Sequence, residues 1–170
     1  IEHAKKIKKV HKIVVSSDSK KILDISKKLK VDIQILRPDN LSSSNSSKFL
    51  VWKHSLKFLM KKNLMSKNDL FLDLDCTCPV RDISDIKQMV KKFLKLKKNN
   101  KLFDGLFSIT PARKNPYFNL VEYNRDNFLI LSKNAKNTVF TRQNCPKVYE
   151  HVASIYCLKP SFILNKKSFM

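Results

Sequence analysis

Apolar and polar positions along the chain switch between two periods. Positions 12–17 (KIVVSS) form a β-branched run that predicts a buried strand, and the cluster Ser17, Asp18, Ser19 closes it with helix N-cap residues. Ile22, Ile25, Ser26 and Leu29 then share one face at helical spacing over 19–30. A second alternating strand is predicted at 31–36, followed by a polar, proline-containing loop at 37–47 (RPDNLSSSNSS). The stretch 47–62 predicts a helix with Phe49, Trp52, Leu56 and Leu59 inward. The run 70–75 (LFLDLD) predicts a strand whose carboxyl end opens into the loop 76–81. The cleanest helical pattern is 82–97, with Ile83, Ile86, Val90, Phe93, Leu94 and Leu96 in the apolar set and Asp82 and Asp85 in the first turn. A strand is predicted at 105–110, a hairpin at 118–123 and 127–131, a polar stretch over 132–147 and a last strand at 154–158. Ile1, Ala4 and Ile7 have helical spacing without a capping residue, as though the chain were entered partway through an element.

Strand–helix alternation over 12–110 predicts crossover connections and a parallel sheet, hence an α/β fold. Ligands of such sheets bind beyond the carboxyl ends of the strands, so the loops to inspect are 16–19, 37–47, 75–81 and 110–117. No domain boundary shows within 1–170, and the hairpin reads as an insertion or arm.

Composition narrows the function. Hydrophobic residues make up 42% of the 170, enough for a core. With a single glycine, Gly105, neither a Walker A loop nor a glycine-rich dinucleotide cradle is present. Lys+Arg is 35 against Asp+Glu 14, a net charge of +21. Arginine occurs only at 37, 81, 113, 125 and 142, and the lysines fall mostly on polar helix faces. Arginine is the residue suited to bidentate phosphate and base contacts, so no nucleic-acid partner is expected, and since no single helix pairs a strong basic face with aromatic anchors, no acidic membrane surface is expected either. No apolar run reaches the ~20 residues of a membrane span, and the opening residues carry no signal-peptide pattern. Cys76, Cys78, Cys145 and Cys157 lack metal-site spacing with the four scattered histidines, so free thiols in a reducing cytoplasm are expected.

Three loops carry candidate chemistry. Arg37, just past a strand end and followed by Pro38, can reach an anion or a carbonyl-rich base edge, or lie on the surface of a polar loop. Asp73 and Asp75 share a strand face and could hold Mg²⁺ or Mn²⁺, or be a solvated strand end or helix-capping acid. Thr77 and Arg81 follow in the same loop. The segment from Arg113 to Asn119 is dense in donors and suits an anionic substrate, or is another basic turn. If every one of these loops follows a parallel strand, all three emerge on one rim, which favours a nucleotide or sugar-acid site.

The same loops resemble those of the acylneuraminate cytidylyltransferases, the CMP-sialic acid synthetases, in order along nearly the whole chain. Positions 13–18 (IVVSSD) resemble I-V-S-T-D, 35–47 resemble L-R-P-x-x-L-A-x-D-x-A-S, and 75–81 resemble Q-P-T-S-P-L-R with Thr77, Pro79 and Arg81 kept. Positions 115–122 (NPYFNLVE) resemble a form common in bacterial members, and 142–156 resemble R-Q-x-x-P-x-x-Y-x-x-N-A-S-I-Y. The resemblance implies a nucleotide-diphospho-sugar transferase-like fold: a Rossmann-like three-layer sandwich with a mainly parallel sheet and a β-hairpin dimerisation arm, here 118–147, giving a homodimer. It implies joining of CTP to a nonulosonic, sialic-type acid, with release of pyrophosphate and Mg²⁺ as the cofactor, for surface polysaccharide such as lipopolysaccharide. Arg37 and the backbone around Ser46 would hold the cytosine, Asp75 and Thr77 would face the sugar, and Arg113 and Asn115 would lie near the sugar acid. No catalytic base is singled out.

The chain departs from that pattern in Asp75 for Gln, Ser44 for an acid and Val152 for Asn. The family's basic loop A-R-x-x-S-K-G and its late metal-binding acids have no counterpart here, so a partial domain over 1–170, inactive alone, is expected. Two rivals remain: a metal-dependent glycosyltransferase using Asp73-Leu74-Asp75 as a D-x-D motif, and a non-catalytic basic binding module.

Overall fold

The computed structural model describes residues 1–99, 102–135 and 141–169. They fall into two compact units, Ile1–Leu106 with Ser154–Met170, and Phe107–Ala153. In chain order the elements are α1 (Glu2–Lys5), β1 (Val14–Ser17), α2 (Lys20–Lys28), β2 (Ile33–Leu36), α3 (Lys48–Lys61), β3 (Phe71–Leu74), α4 (Ile83–Asn99), β4 (Gly105–Pro111), β5 (Val121–Tyr123), β6 (Leu129–Leu131), β7 (Tyr149–Leu158) and α5 (Pro160–Asn165). Helices and strands mix as an α/β protein requires, but the described strands form three small sheets, ordered β1-β2, β3-β7-β4 and β5-β6.

The caps lie where side-chain chemistry places them. Ser19 Oγ accepts from Ile22 N to start α2, and Ser47 Oγ accepts from Phe49 N to start α3. Asp82 Oδ1 accepts from Ser84 N just ahead of α4.

Period-two alternation in β3 and β7 builds the core of the first unit. Ile155 and Cys157 of β7 join Ile86, Val90 and Phe93 of α4 with Ile7, and Leu72 and Leu74 of β3 pack on this cluster. Tyr156 and Leu158 face the other way, onto Phe49, Trp52 and Leu56 of α3 and Ile163 of α5, joined by Phe71. Helices therefore cover both faces of this sheet. Leu56, Ile86, Phe93 and Ile163 lose all contact with solvent, a gain of ~1.5–3 kcal/mol for each such side chain.

The expectation of a mainly parallel sheet needs correction. Val14 to Ser17 pair in parallel with Ile33 to Leu36, but β3 pairs antiparallel with β7, Phe71 opposite Leu158 and Leu74 opposite Ile155. Strand β4 also runs antiparallel to β7, since Lys159 N donates to Asp104 O and Ala112 N to Val148 O. The physical reason is that β7, arriving after the hairpin, pairs between β3 and β4, which therefore run the same way without touching. It also starts at Tyr149, ahead of the predicted 154; its first three residues are exposed, so no buried face marks them. On α2, which forms as expected, Ser26 is buried, whereas Ile22 and Ile25 stay 51% and 57% exposed.

Gly105 is needed for close approach. A Cβ there would lie 2.5 Å from Leu158 Cδ2 and 2.8 Å from Cys157 O. The backbone oxygen cannot yield without parting β4 from β7. Gly105→Ala is expected to lower the unfolding free energy by ~1–3 kcal/mol, read as a lower urea midpoint; an unchanged midpoint would contradict the close pairing.

Candidate active site at the strand ends

Two side-chain groups form at carboxyl ends of strands in the first unit. The first follows from the parallel register of β1 and β2, which ends with Ser17 opposite Leu36. The next residues, Asp18 and Arg37, thus emerge side by side, and Arg37 N donates to Ser17 O at 2.9 Å. Arg37 Nη2 donates to Asp18 Oδ1 at 2.6 Å. This hydrogen bond, with the backbone bond at Asp18, holds the Asp18 carboxyl below its ordinary value. Arg37 Nε is buried and finds no hydrogen-bond partner among the described residues. Asp18, Lys20, Leu36, Arg37, Pro38 and Asp39 line an open cavity of about 520 Å³, a volume suited to a small-molecule ligand. Ser46, expected beside the nucleotide, bonds within its own loop: its Oγ lies 3.0 Å from Ser43 Oγ and donates to Asn40 O at 3.3 Å.

The second group centres on Lys48 at the first turn of α3. Its Nζ lies 2.7 Å from Asp73 Oδ2 and donates to Asp75 Oδ2. The contact with Asp73 is an ion pair between opposite charges. The ammonium also sits 4.6 Å from the Tyr156 ring centroid and 5.3 Å from that of Trp52, a cation–π arrangement. Asp75 Oδ1 accepts from Thr77 N at 2.9 Å and Thr77 Oγ1 at 2.8 Å. Arg81 closes the loop, its Nε donating to Cys78 O at 2.8 Å and its Nη2 to Asp75 O and Cys78 O.

Burial would raise the Asp75 pKa, but the bonds from Lys48 and Thr77 outweigh it and hold the carboxyl below 3.8. Burial would lower the Lys48 pKa, but the two carboxylates outweigh it and hold the ammonium above 10.5. A depressed acid stabilises the fold above its unfolded pKa, and that contribution fades as pH falls through the folded value. A raised base stabilises below its unfolded pKa and fades as pH rises through the folded value. The stability gap between the protein and Asp75→Asn is therefore expected to hold from about pH 5 to 9 and to shrink below pH 3.8. Urea midpoints against pH check this; a gap that persists unchanged in acid would contradict it.

The structure thus brings Asp73, Asp75 and Thr77 together and joins Arg37 to Asp18. Arg113 and Asn115 belong to the second unit. There Arg113 N donates to Glu150 Oε1 at 2.8 Å, and Arg113 O accepts from Arg142 Nη2 at 3.1 Å. Asn115 organises a turn: its Oδ1 accepts from Tyr117 N at 3.0 Å and its Nδ2 donates to Pro146 O at 3.0 Å. The residues available to a metal fit it poorly. Asp73 and Asp75 face an ammonium, and among the described residues no group of three His, Cys, Asp or Glu side chains could enclose an ion. The thiols are free: Cys76 is exposed, and burial pushes the Cys157 thiol up to about 12. No described helix is long and apolar enough to cross a membrane.

A family model described as Cytidylyltransferase matches residues 1–169. By family, then, this α/β chain is a nucleotidyltransferase. More particularly, it belongs to the cytidylyltransferase family. It is 35% identical over 168 residues to post-translational flagellin modification protein B of Campylobacter coli, covering 99% of this chain and 68% of that protein. It is 32% identical over 156 residues to a CMP-N,N'-diacetyllegionaminic acid synthase of Campylobacter jejuni, covering 92% of this chain and 63% of the relative. The chain thus spans about two thirds of the length of these relatives.

Proposed function

We propose that the chain serves an enzyme that joins CTP to a nonulosonic acid. The anomeric hydroxyl oxygen of the acid attacks the α-phosphorus in line. A new O–P bond forms, the bond from the α-phosphorus to the bridging oxygen breaks, the hydroxyl loses its proton and pyrophosphate leaves. A Rossmann-like three-layer sandwich and a cytoplasmic location belong to the same reading. The observation that carries it is the Arg37–Asp18 pair at adjacent strand ends, lining an open cavity.

Arg37 and the backbone near Ser46 face the cytosine. Asp75 and Thr77 face the sugar, and Arg113 and Asn115 act near the acid group. The diacetyllegionaminic name of one relative favours a substrate of that type, and the product supplies a surface glycan. Mg²⁺ supplies charge neutralisation of the triphosphate when bound, and no ligand set for it is assigned to this chain.

Homodimerisation through the arm is part of the same reading. Tyr123, Phe128 and Leu129 of the hairpin are 71%, 69% and 60% exposed, and exposed apolar surface of this kind marks interfaces. The arm was expected over 118–147, of which 136–140 lie outside the described residues. Phe128→Asp is expected to convert a dimer into a monomer in sedimentation velocity; a monomer before substitution would refute the arm.

Equilibrium titrations with CTP, UTP and GTP, and with UDP- and GDP-sugars plus Mn²⁺, test the function. Preference for CTP by at least about tenfold, worth ~1.4 kcal/mol, is expected. Mn²⁺-dependent preference for a UDP- or GDP-sugar would point to a glycosyltransferase. Steeply salt-dependent DNA binding without nucleotide binding would point to a basic module.

A further inference from the structure

We infer that Lys48 is the built-in cation of the Asp73–Asp75 pair, taking the place a divalent metal ion would take and keeping one out. Strand alternation turns both carboxylates toward α3, and two neighbouring ionised carboxylates without a counter-charge repel one another. Lys48 supplies that charge, 2.7 Å from Asp73 Oδ2 and hydrogen-bonded to Asp75 Oδ2.

The rest of its surroundings suit an ammonium and not a hard metal. Mg²⁺ and Mn²⁺ require a shell of oxygen ligands and retained waters. Here the cation also faces the Tyr156 and Trp52 rings, at 4.6 and 5.3 Å, whose faces attract a cation but donate no lone pair. Asp75 Oδ1 is already taken by two donors from Thr77, and the Asp75 side chain is only 10% exposed. Lys48 is therefore a positioning residue. It ties the first turn of α3 to the end of β3 and holds the carboxylate that fixes Thr77. The inference is independent of which nucleotide or sugar the protein uses.

Thermal unfolding with and without Mn²⁺ tests it on the full chain, on Lys48→Met, which keeps the length of the stem but not the charge, and on Lys48→Met/Asp73→Asn. Lys48→Met is expected to lower Tm by ~2 °C or more, because the two carboxylates lose their counter-charge, and Mn²⁺ is expected not to restore it. Asp73→Asn added to Lys48→Met is expected to recover part of the loss. In the unsubstituted protein, any Mn²⁺ shift is expected to be the same with and without Asp73→Asn. A Lys48→Met chain that fails to fold while Lys48→Met/Asp73→Asn folds also supports the inference. A Mn²⁺ shift in the unsubstituted protein that Asp73→Asn removes would overturn it, as would a Lys48→Met chain as stable as the unsubstituted protein or one that Asp73→Asn does not relieve.

Discussion

Trp52→Ala is expected to lower the unfolding free energy by ~3–5 kcal/mol. The indole is 4% exposed. It meets Tyr156 at 4.9 Å, Phe169 at 5.8 Å, Phe49 at 6.1 Å and Phe71 at 6.3 Å between ring centroids, all edge to face. These partners come from α3, β3, β7 and the residues after α5, so no single element can move inward to fill the space. The ring also faces Lys48, so its loss weakens the hold on Asp75. Small domains are stable by only ~5–15 kcal/mol, so a third or more of the margin is at stake. Because Trp52 is the only tryptophan, the unfolding curve must be followed by circular dichroism. A cost under about 1 kcal/mol would mean the aromatic cluster is not packed as described.

Arg37→Ala is expected to weaken CTP binding by about 10- to 100-fold, the equivalent of one charge-assisted hydrogen bond of ~1.5–3 kcal/mol. The guanidinium is held in place: Asp18 takes Nη2 at 2.6 Å, and the side chain is only 24% exposed. Arg37→Lys is expected to recover only part of the loss, since an ammonium cannot bond Asp18 and a ligand through one rigid plane. Titration calorimetry with CTP measures both. Equal affinity in Arg37→Ala would remove the nucleotide from this cavity.

Much of this was legible in the sequence, for identifiable reasons. The runs at 12–17 and 70–75 became β1 and β3, and Ser19 and Ser47 became caps, because β-branching and side-chain capping are local effects. The hairpin at β5 and β6 followed from its turn residues, Asn124 accepting from Asp126 N and Phe128 N. Pairing order was not legible: placing β7 between β3 and β4 depends on contacts far apart along the chain. The loops at Arg37 and Asp75 were legible because each follows a strand. The role of Lys48 was not. A lysine in the first turn of a helix opposes the macrodipole, which is a signal that something holds it. But Lys20 and Lys21 stand at the same place in α2, so the sequence does not separate them.

Backbone amide chemical shifts on titration with CTP test most directly whether CTP docks at the strand-end loops of the first unit. The largest shifts are expected at Asp18, Arg37 and Ser46, with smaller ones from Asp75 to Arg81. Shifts spread over the lysines of α2 and α4 and sparing Arg37 would show an unspecific polyanion surface and contradict the account.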